Sequence, residues 1–240
     1  MSRGDNATPV RAADIVILAV DPADLAGVLK QQGITEALST ADKLVISIAA
    51  GWTRQQIETK LWGSPSTGTD DQGQRAWVLR TLPNIAAQVG EGLTAIEVSE
   101  PAIPEWCIEA AESIFSQAGQ TVRIPPTLMD ATTAVGGSTP AFFAVICDAL
   151  IDAAVAVGVP RPMAHTMIFQ SMLGTATMMR DGLHPSLLRD QGTSPEGCTI
   201  GGLMVMEESA VRGHMGKALR SAVTIARQMG KNPHPNDTRQ

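Results

Sequence analysis

The run Ile15-Val16-Ile17-Leu18-Ala19-Val20-Asp21-Pro22 decides how this chain folds. Its first six residues are apolar without a break and rich in β-branched side chains. Such a run suits a strand covered on both faces of a parallel sheet, not a strand with one wet face. Asp21 is a favoured helix N-cap, and Pro22 is pre-set for the first helical position. The eight residues therefore read as a strand passing directly into a helix. That helix should run to about Gln32, with Gly33 as its stop.

The same unit recurs downstream. Leu44-Val45-Ile46-Ser47-Ile48 is a second strand, Gly51-Trp52 a turn, and Thr53 to Gln56 a capping box for the next helix. Gly63 to Gln74 is polar and reads as a surface insertion. Trp77 to Thr81, Gly92 to Ile96 and Thr121 to Ile124 give three more strands, with an amphipathic helix over Pro104 to Ala118 ended by Gly119. Alternation with short links predicts a doubly wound α/β sheet with right-handed crossovers. At Pro125-Pro126 the strand signal stops. Helices are expected over 127–134, 140–158, 161–181, 199–209 and 211–229. The expected domains are residues 1–124, a partial Rossmann-type dinucleotide-binding sheet, and 125–240, all helical. A sheet of this type ordinarily opens with a strand, a glycine-rich turn and a helix. No such fingerprint precedes Ile15, so the expected sheet is N-terminally incomplete.

Composition narrows the partners. The 240 residues carry a net charge of −6 with no basic stripe, and aromatics are 3% with no tyrosine. Nucleic-acid binding, which needs basic grooves and aromatic stacking faces, is excluded on both counts. The longest apolar stretch, Phe142 to Val159, contains Asp148 and Asp152, which argues for a buried helix and no membrane crossing. Three separated cysteines give no zinc pattern and no disulfide scaffold, which fits a reducing, cytoplasmic compartment. The four histidines show no ligand spacing, so no metal site is expected.

Several runs sit where chemistry is done. Ala19 to Pro22, Ser47 to Gly51 and Leu82-Pro83-Asn84 end predicted strands, the edge at which open α/β sheets hold ligands. Each is equally an ordinary turn, and Asn84 either bonds a carboxamide or closes a turn. Gly90-Glu91-Gly92-Leu93-Thr94-Ala95 formally matches a dinucleotide fingerprint, but a strand follows it, so a turn is the better reading. Gly136-Gly137-Ser138-Thr139-Pro140 opens a long helix, with Thr139 as cap and glycines that permit a close approach. Thr193 to Ile200 packs hydroxyls, Pro and Gly into a turn feeding a helix, an arrangement suited to a carboxylate or phosphate, or simply a capped helix. Cys198 lies there with no histidine nearby in sequence to activate it, so a nucleophilic thiol is not expected.

Taken together, the runs A-D-I-V-I-L-A-V-D-P (13–22), S-I-A-A-G (47–51), R-T-L-P-N (80–84), V-G-E-G (89–92), G-G-S-T-P-A-F (136–142), H-P-S-L-L-R-D (184–190) and T-S-P-E-G-C-T-I-G-G-L (193–203) resemble the pyrroline-5-carboxylate reductase family. The resemblance covers nearly the whole chain in order. It implies a Rossmann domain for NADPH (or NADH), a helical domain that makes a homodimer, and rings of dimers. It implies reduction of the cyclic imine 1-pyrroline-5-carboxylate to L-proline. Cofactor contacts would fall to Asn6, Ala19, Val20, Asp21, Pro22, Leu82, Pro83 and Asn84. The substrate carboxylate would fall to Gly192, Ser194, Gly197, Cys198 and Thr199, with Thr199 and Ser194 the catalytic pair and Thr199 the partner of the imine nitrogen.

Departures from the family pattern are specific. Asp21 stands where the family has Lys, Gly136 and Thr139 replace Ser and Gly, and Glu196 replaces a Gly beside a carboxylate-binding loop. The alternative reading is a truncated or diverged non-catalytic relative acting through its dimerisation domain. A β-hydroxyacid dehydrogenase is weaker, because such enzymes use a lysine on a central helix and residues 127–210 contain none.

Overall fold

The computed structural model describes residues 5–66, 75–98 and 100–229. Most of the expected insertion, residues 67–74, lies outside them. Five strands form one sheet in the order β1 (Ile15–Leu18), β2 (Leu44–Ser47), β3 (Trp77–Pro83), β4 (Gly92–Glu97), β5 (Gly119–Ile124). β1, β2 and β3 are parallel, with Leu18, Ser47 and Arg80 in register. β3 and β4 are antiparallel, while β4 and β5 are parallel again. The sheet is thus Rossmann-like but mixed. A parallel crossover needs about a dozen residues or more. The link from Asn84 to Glu91 is shorter, a single 3-10 turn over Ile85–Val89, so the chain must double back. Gly90, at φ 75°, makes that reversal, and the Gly90-x-Gly92 run is the expected turn.

Side-chain alternation sends each strand's residues to two cores. Leu18, Val45 and Val78 meet Leu25 and Leu29 of α2 (Pro22–Leu29) and Ile57 and Leu61 of α4 (Arg54–Trp62). Leu44, Ile46, Leu79 and Ile96 point the other way, onto Cys107, Ile108, Ala111 and Phe115 of α5 (Glu105–Phe115). The change of face follows from the reversal. Successive strands step the same way across the sheet, but β4 and β5 run opposite to β1–β3. A right-handed crossover then lands on the opposite face.

Three short helices are absent from the sequence reading: α1 (Ala7–Ala12), α3 (Ile34–Ala37) and the helix over Pro185–Gln191. None is long enough to display a clear 3.6-residue period. α2 ends at Leu29 and not near Gln32, and Gly33 opens α3 instead of closing α2.

The second half is helical: α6 (Pro126–Val135), α7 (Thr139–Ala156), α8 (Arg161–Arg180), α9 (Pro185–Gln191), α10 (Cys198–Glu208) and α11 (Val211–Gln228). The strand signal stops at Pro125-Pro126 as read, but the division in packing falls one helix later. One compact unit runs through Ser138 and takes in the last turns of α11 from Ser221; the other is Thr139–Arg220. α6 belongs to the first because Met129 is buried with Ala95 and Ile124 against the sheet. At Gly137 a Cβ would stand 2.4 Å from the Thr133 carbonyl, so the close approach that this glycine permits is that of the chain's own preceding turn.

In the unit Thr139–Arg220 only Cys147, Ile151 and Ala164 are buried among the described residues. Phe143, Val145, Leu150, Phe169, Leu173 and Met204 are all exposed. By length and composition Pro126–Ala156 is apolar enough to cross a membrane. It nevertheless contains Asp130, Asp148 and Asp152, and Asp152 accepts a hydrogen bond from Arg161 at 2.7 Å.

Candidate functional site

The sheet unit presents the carboxyl ends of β1, β2 and β3 along one edge, because those strands are parallel and in register. Ala19-Val20-Asp21-Pro22 leaves β1, Ile48 to Gly51 leaves β2, and Leu82-Pro83-Asn84 closes β3. Neighbouring strands lie about 4.8 Å apart, so the first and third of these segments are roughly 10 Å apart on the same edge. Internal bonds fix them. The Trp52 indole N–H donates to the Pro22 carbonyl at 2.9 Å, clipping the first loop to the second. The Thr81 hydroxyl donates to the Ser47 carbonyl at 3.3 Å.

Both helices that start at this edge carry their own caps. The Asp21 carboxylate accepts from the Ala23 N–H at 2.9 Å, as the Asp-Pro reading predicted. Thr53 and Gln56 form the expected reciprocal capping box. Asp21 therefore satisfies an amide of its own helix, which accounts for an acid where the family carries Lys. At α2 the first-turn amides are thereby taken, since Pro22 has none and the Asp24 N–H donates to the Asp21 carbonyl at 2.9 Å. What the edge does offer is a shelf of small and apolar groups: Ala19, Val20, Pro22, Ala50, Gly51, Leu82 and Pro83, all exposed or half-buried.

Asn6 is not brought to this edge. Its amide donates to Gln31 Oε1 at 2.7 Å, just beyond the C-terminal end of α2. Asp21 and Pro22 stand at the other end of that eight-residue helix, about 12 Å away. Asn84 is at the edge, and its side chain closes the turn: Oδ1 accepts from the Leu93 N–H at 3.2 Å and Nδ2 donates to the Gly136 carbonyl at 2.9 Å.

In the helical unit, Gly192, Ser194, Gly197, Cys198 and Thr199 come together in one short loop between α9 and α10. The Thr193 hydroxyl donates to the Asp190 carbonyl at 2.7 Å, holding the loop against the end of α9. Ser194-Pro195-Glu196-Gly197 is a turn closed by the Gly197 N–H on the Ser194 carbonyl at 3.0 Å. Pro at its second position and φ 57° at Glu196 are the signature of a type II turn. A Cβ at Gly197 would sit 2.5 Å from Ser194 Oγ, so a larger residue there would turn that hydroxyl aside. α10 then starts without a side-chain cap. Its first internal bond runs from the Gly201 N–H to the Gly197 carbonyl, which leaves the amides of Cys198, Thr199 and Ile200 outside the helical ladder. Ser194 and Thr199 belong to the same short segment, so the donors present there, three amides and two hydroxyls, are of the kind that suits a carboxylate.

The sequence reading missed the polar support under the sheet edge. Arg80 is buried in β3 and pairs with Glu97 at 3.3 Å and with Asp130 of α6 at 3.6 Å. A charged residue inside the apolar stretch Trp77-Val78-Leu79-Arg80 was the available signal, because a buried cation needs a buried anion.

Comparison with known proteins agrees over most of the chain. Residues 126–229 match the family described as pyrroline-5-carboxylate reductase dimerisation. A pyrroline-5-carboxylate reductase of Lophium arboricola is 42% identical over 229 residues, covering 95% of this chain and 71% of that protein. One from Methanosarcina acetivorans is 40% identical over 228 residues, covering 95% of this chain and 79% of that protein. Among solved structures, the Plasmodium falciparum pyrroline carboxylate reductase with NADP bound superposes with a TM-score of 0.82 at 27% identity, over 96% of this chain and 81% of that one. The Coxiella burnetii enzyme gives 0.80 at 30% identity, over 95% and 80%.

Proposed function

The chain belongs to the pyrroline-5-carboxylate reductase family, and we infer from this that it reduces 1-pyrroline-5-carboxylate to L-proline with NADPH or NADH. The observation that carries the reading is the loop from Gly192 to Thr199, whose three helix-end amides and two hydroxyls suit a small substrate carboxylate.

The reduced nicotinamide supplies a hydride to the imine carbon, which accepts it when the imine nitrogen is protonated. No covalent nucleophile is required, so the work of the chain is positioning. The amides of Cys198, Thr199 and Ile200 and the hydroxyl of Ser194 hold the carboxylate at the positive end of α10. The Thr199 hydroxyl bonds the imine nitrogen and keeps its proton in place. Cys198 contributes its backbone amide and no thiol chemistry. At the sheet edge, the small residues of 19–22 and 48–51 and the Leu82-Pro83 step fit the flat nicotinamide and its ribose. The cofactor contacts assigned here are Ala19, Val20, Pro22, Leu82 and Pro83. Asp21 and Asn84 serve the edge through the backbone that they fix. Residues 1–124 act as the cofactor part and 125–240 as the substrate and dimerisation part.

The exposed apolar faces of α7, α8 and α10 meet a second copy of the chain, and rings of such dimers complete the assembly. The carboxylates in Pro126–Ala156 favour this over contact with lipid. Three free cysteines fit a cytoplasmic location.

The test is steady-state turnover of purified chain with pyrroline-5-carboxylate, following absorbance of the reduced cofactor. Thr199→Ala is expected to lower kcat about a hundredfold while cofactor affinity changes little. A near-native rate removes Thr199 from the imine nitrogen, and no turnover by the folded native chain overturns the assignment.

A further inference from the structure

We propose that Asn84 is a positioning residue for this reaction, tying the end of β3 to Gly136 and so fixing where the chain leaves the sheet unit. The proposal rests on the reductase reading above.

Asn84 sits at the end of the strand that bears Leu82 and Pro83. It holds Leu93 of β4 twice: its backbone N–H donates to the Leu93 carbonyl at 3.2 Å, and its Oδ1 accepts from the Leu93 N–H at 3.2 Å. Its Nδ2 then reaches 52 residues ahead to the Gly136 carbonyl at 2.9 Å. The two bonds set the amide plane, because only this orientation gives an acceptor to the N–H and a donor to the carbonyl. Gly136 directly follows α6, where carbonyls lack helical partners. Asn84 thus serves as a distant cap for α6. Gly136 also rests on Leu93, whose Cδ2 would be 3.5 Å from a Cβ at that position. Arg80, four residues earlier on β3, grips α6 a second time through Asp130. Beyond Gly136, the N–H groups of Gly137 and Ser138 bond back to Thr133 and Ala134, and Thr139 opens α7. One side chain therefore joins the proposed nicotinamide shelf to the residues from which the helical unit departs. Displacements of about 1 Å in a reacting pair can cost a hundredfold in rate.

The experiment compares the native chain with Asn84→Ala and the near-isosteric Asn84→Asp. Turnover, NADPH binding by fluorescence, and amide hydrogen exchange over residues 136–139 are read for each. Asn84→Ala is expected to lower kcat about tenfold or more, to leave the NADPH Kd within about threefold, and to speed exchange at 136–139. Asn84→Asp keeps the acceptor for Leu93 but turns a carboxylate onto the Gly136 carbonyl. Its kcat, relative to the native chain at each pH, should be low near neutrality and climb as the carboxyl takes up a proton and donates again. A role limited to folding would not produce that pH-dependent rescue. Native kcat in Asn84→Ala, a matching loss of NADPH affinity, or a flat pH ratio for Asn84→Asp overturns the proposal. A native chain without turnover counts against the reductase reading alone. In that case unchanged exchange at 136–139 in Asn84→Ala still overturns the clamp, and faster exchange supports it.

Discussion

The two compact units contain similar kinds of residues and use them in opposite ways. In the sheet unit, Leu25, Leu44, Val45, Ile46 and Ile57 are wholly buried, and two cores close on either side of five strands. In Thr139–Arg220, side chains just as apolar face outward: Val145 is 70% exposed and Leu173 61%. A sheet can bury both faces within one chain because crossover helices are supplied by the same sequence. The two helices α7 and α8 leave Phe143, Val145, Phe169 and Leu173 exposed, and exposed apolar patches mark an interface. Together with the match to a dimerisation family, the contrast says that the first unit is stabilised by its own chain and the second by homo-oligomerisation.

The largest expected effect breaks that contrast directly. The double substitution Val145→Glu, Leu173→Glu should weaken self-association by on the order of a thousandfold, since carboxylates left unpaired in an apolar interface cost several kcal/mol. Sedimentation at micromolar concentration checks it; a monomeric native chain would show that these faces are not covered by a copy. Next in size is a pair of cavities. Leu25→Ala should cost about 2–5 kcal/mol of stability at every protein concentration. Leu173→Ala should cost less, and its cost should shrink as the protein is diluted toward monomer. Equal, concentration-independent losses would mean that Leu173 is packed within its own chain.

The same contrast governs what was legible in the sequence. Strand β2 was readable because burial on both faces demands an apolar run such as Leu44 to Ile46; β1 carries the same kind of run, but it is the edge strand and Ile17 is exposed, so its expected cover on both faces is not met. The helices from 126 onward, apart from the seven residues Pro185–Gln191, were readable within a few residues because their limits are marked by Pro and Gly. The reversal between β3 and β4 was not read, because strand direction depends on the length of a link and Asn84 to Glu91 carries no apolar pattern. The turn from Ser194 to Gly197 and the helix start after it were legible through the concentration of hydroxyls, Gly and Pro, which suit a tight turn at a helix start. Asn84 and Gly136 were each singled out, but their bond spans 52 positions and leaves no periodic trace. Asn6 was assigned through the resemblance alone, and its bond to Gln31 depends on α1 and α3, which were too short to foresee.

A third prediction compares the thiols of the two units. Cys107 is buried under the sheet, and loss of solvent pushes its thiol from the ordinary 9.0 up to about 12, with Arg54 opposing weakly. Cys198 is exposed at the start of α10. Alkylating reagent should label Cys198 in the native chain and reach Cys107 only after unfolding. Because the folded value of Cys107 is raised, its contribution to stability is whole below pH 9.0 and declines as pH climbs toward about 12. One thiol gives a slope of at most about 1.4 kcal/mol per pH unit there. Urea unfolding should therefore weaken less steeply above pH 9 in Cys107→Val than in the native chain. Parallel pH curves for the two proteins would refute the buried-thiol account.

The smallest expected effect lies in the open unit, at a position where the chain accepts strain. Glu196 occupies φ 57° at the third position of the turn from Ser194 to Gly197. A residue with a Cβ pays about 1–2 kcal/mol for that left-handed backbone, and glycine does not. Glycine also gains freedom in the unfolded chain, which returns part of the difference. Glu196→Gly should therefore raise stability by about 0.5–1 kcal/mol, and the gain should be visible in the unfolding midpoint of the helical unit. It also removes a carboxylate next to the amides assigned to the substrate carboxylate. The KM for pyrroline-5-carboxylate should fall by about twofold to fivefold, more at low ionic strength than at high, because an exposed charge is screened by salt. A stability gain with an unchanged KM would place the Glu196 side chain away from the substrate and leave the turn as its only role. A stability loss would mean that the carboxylate, and not the backbone, dominates at this position.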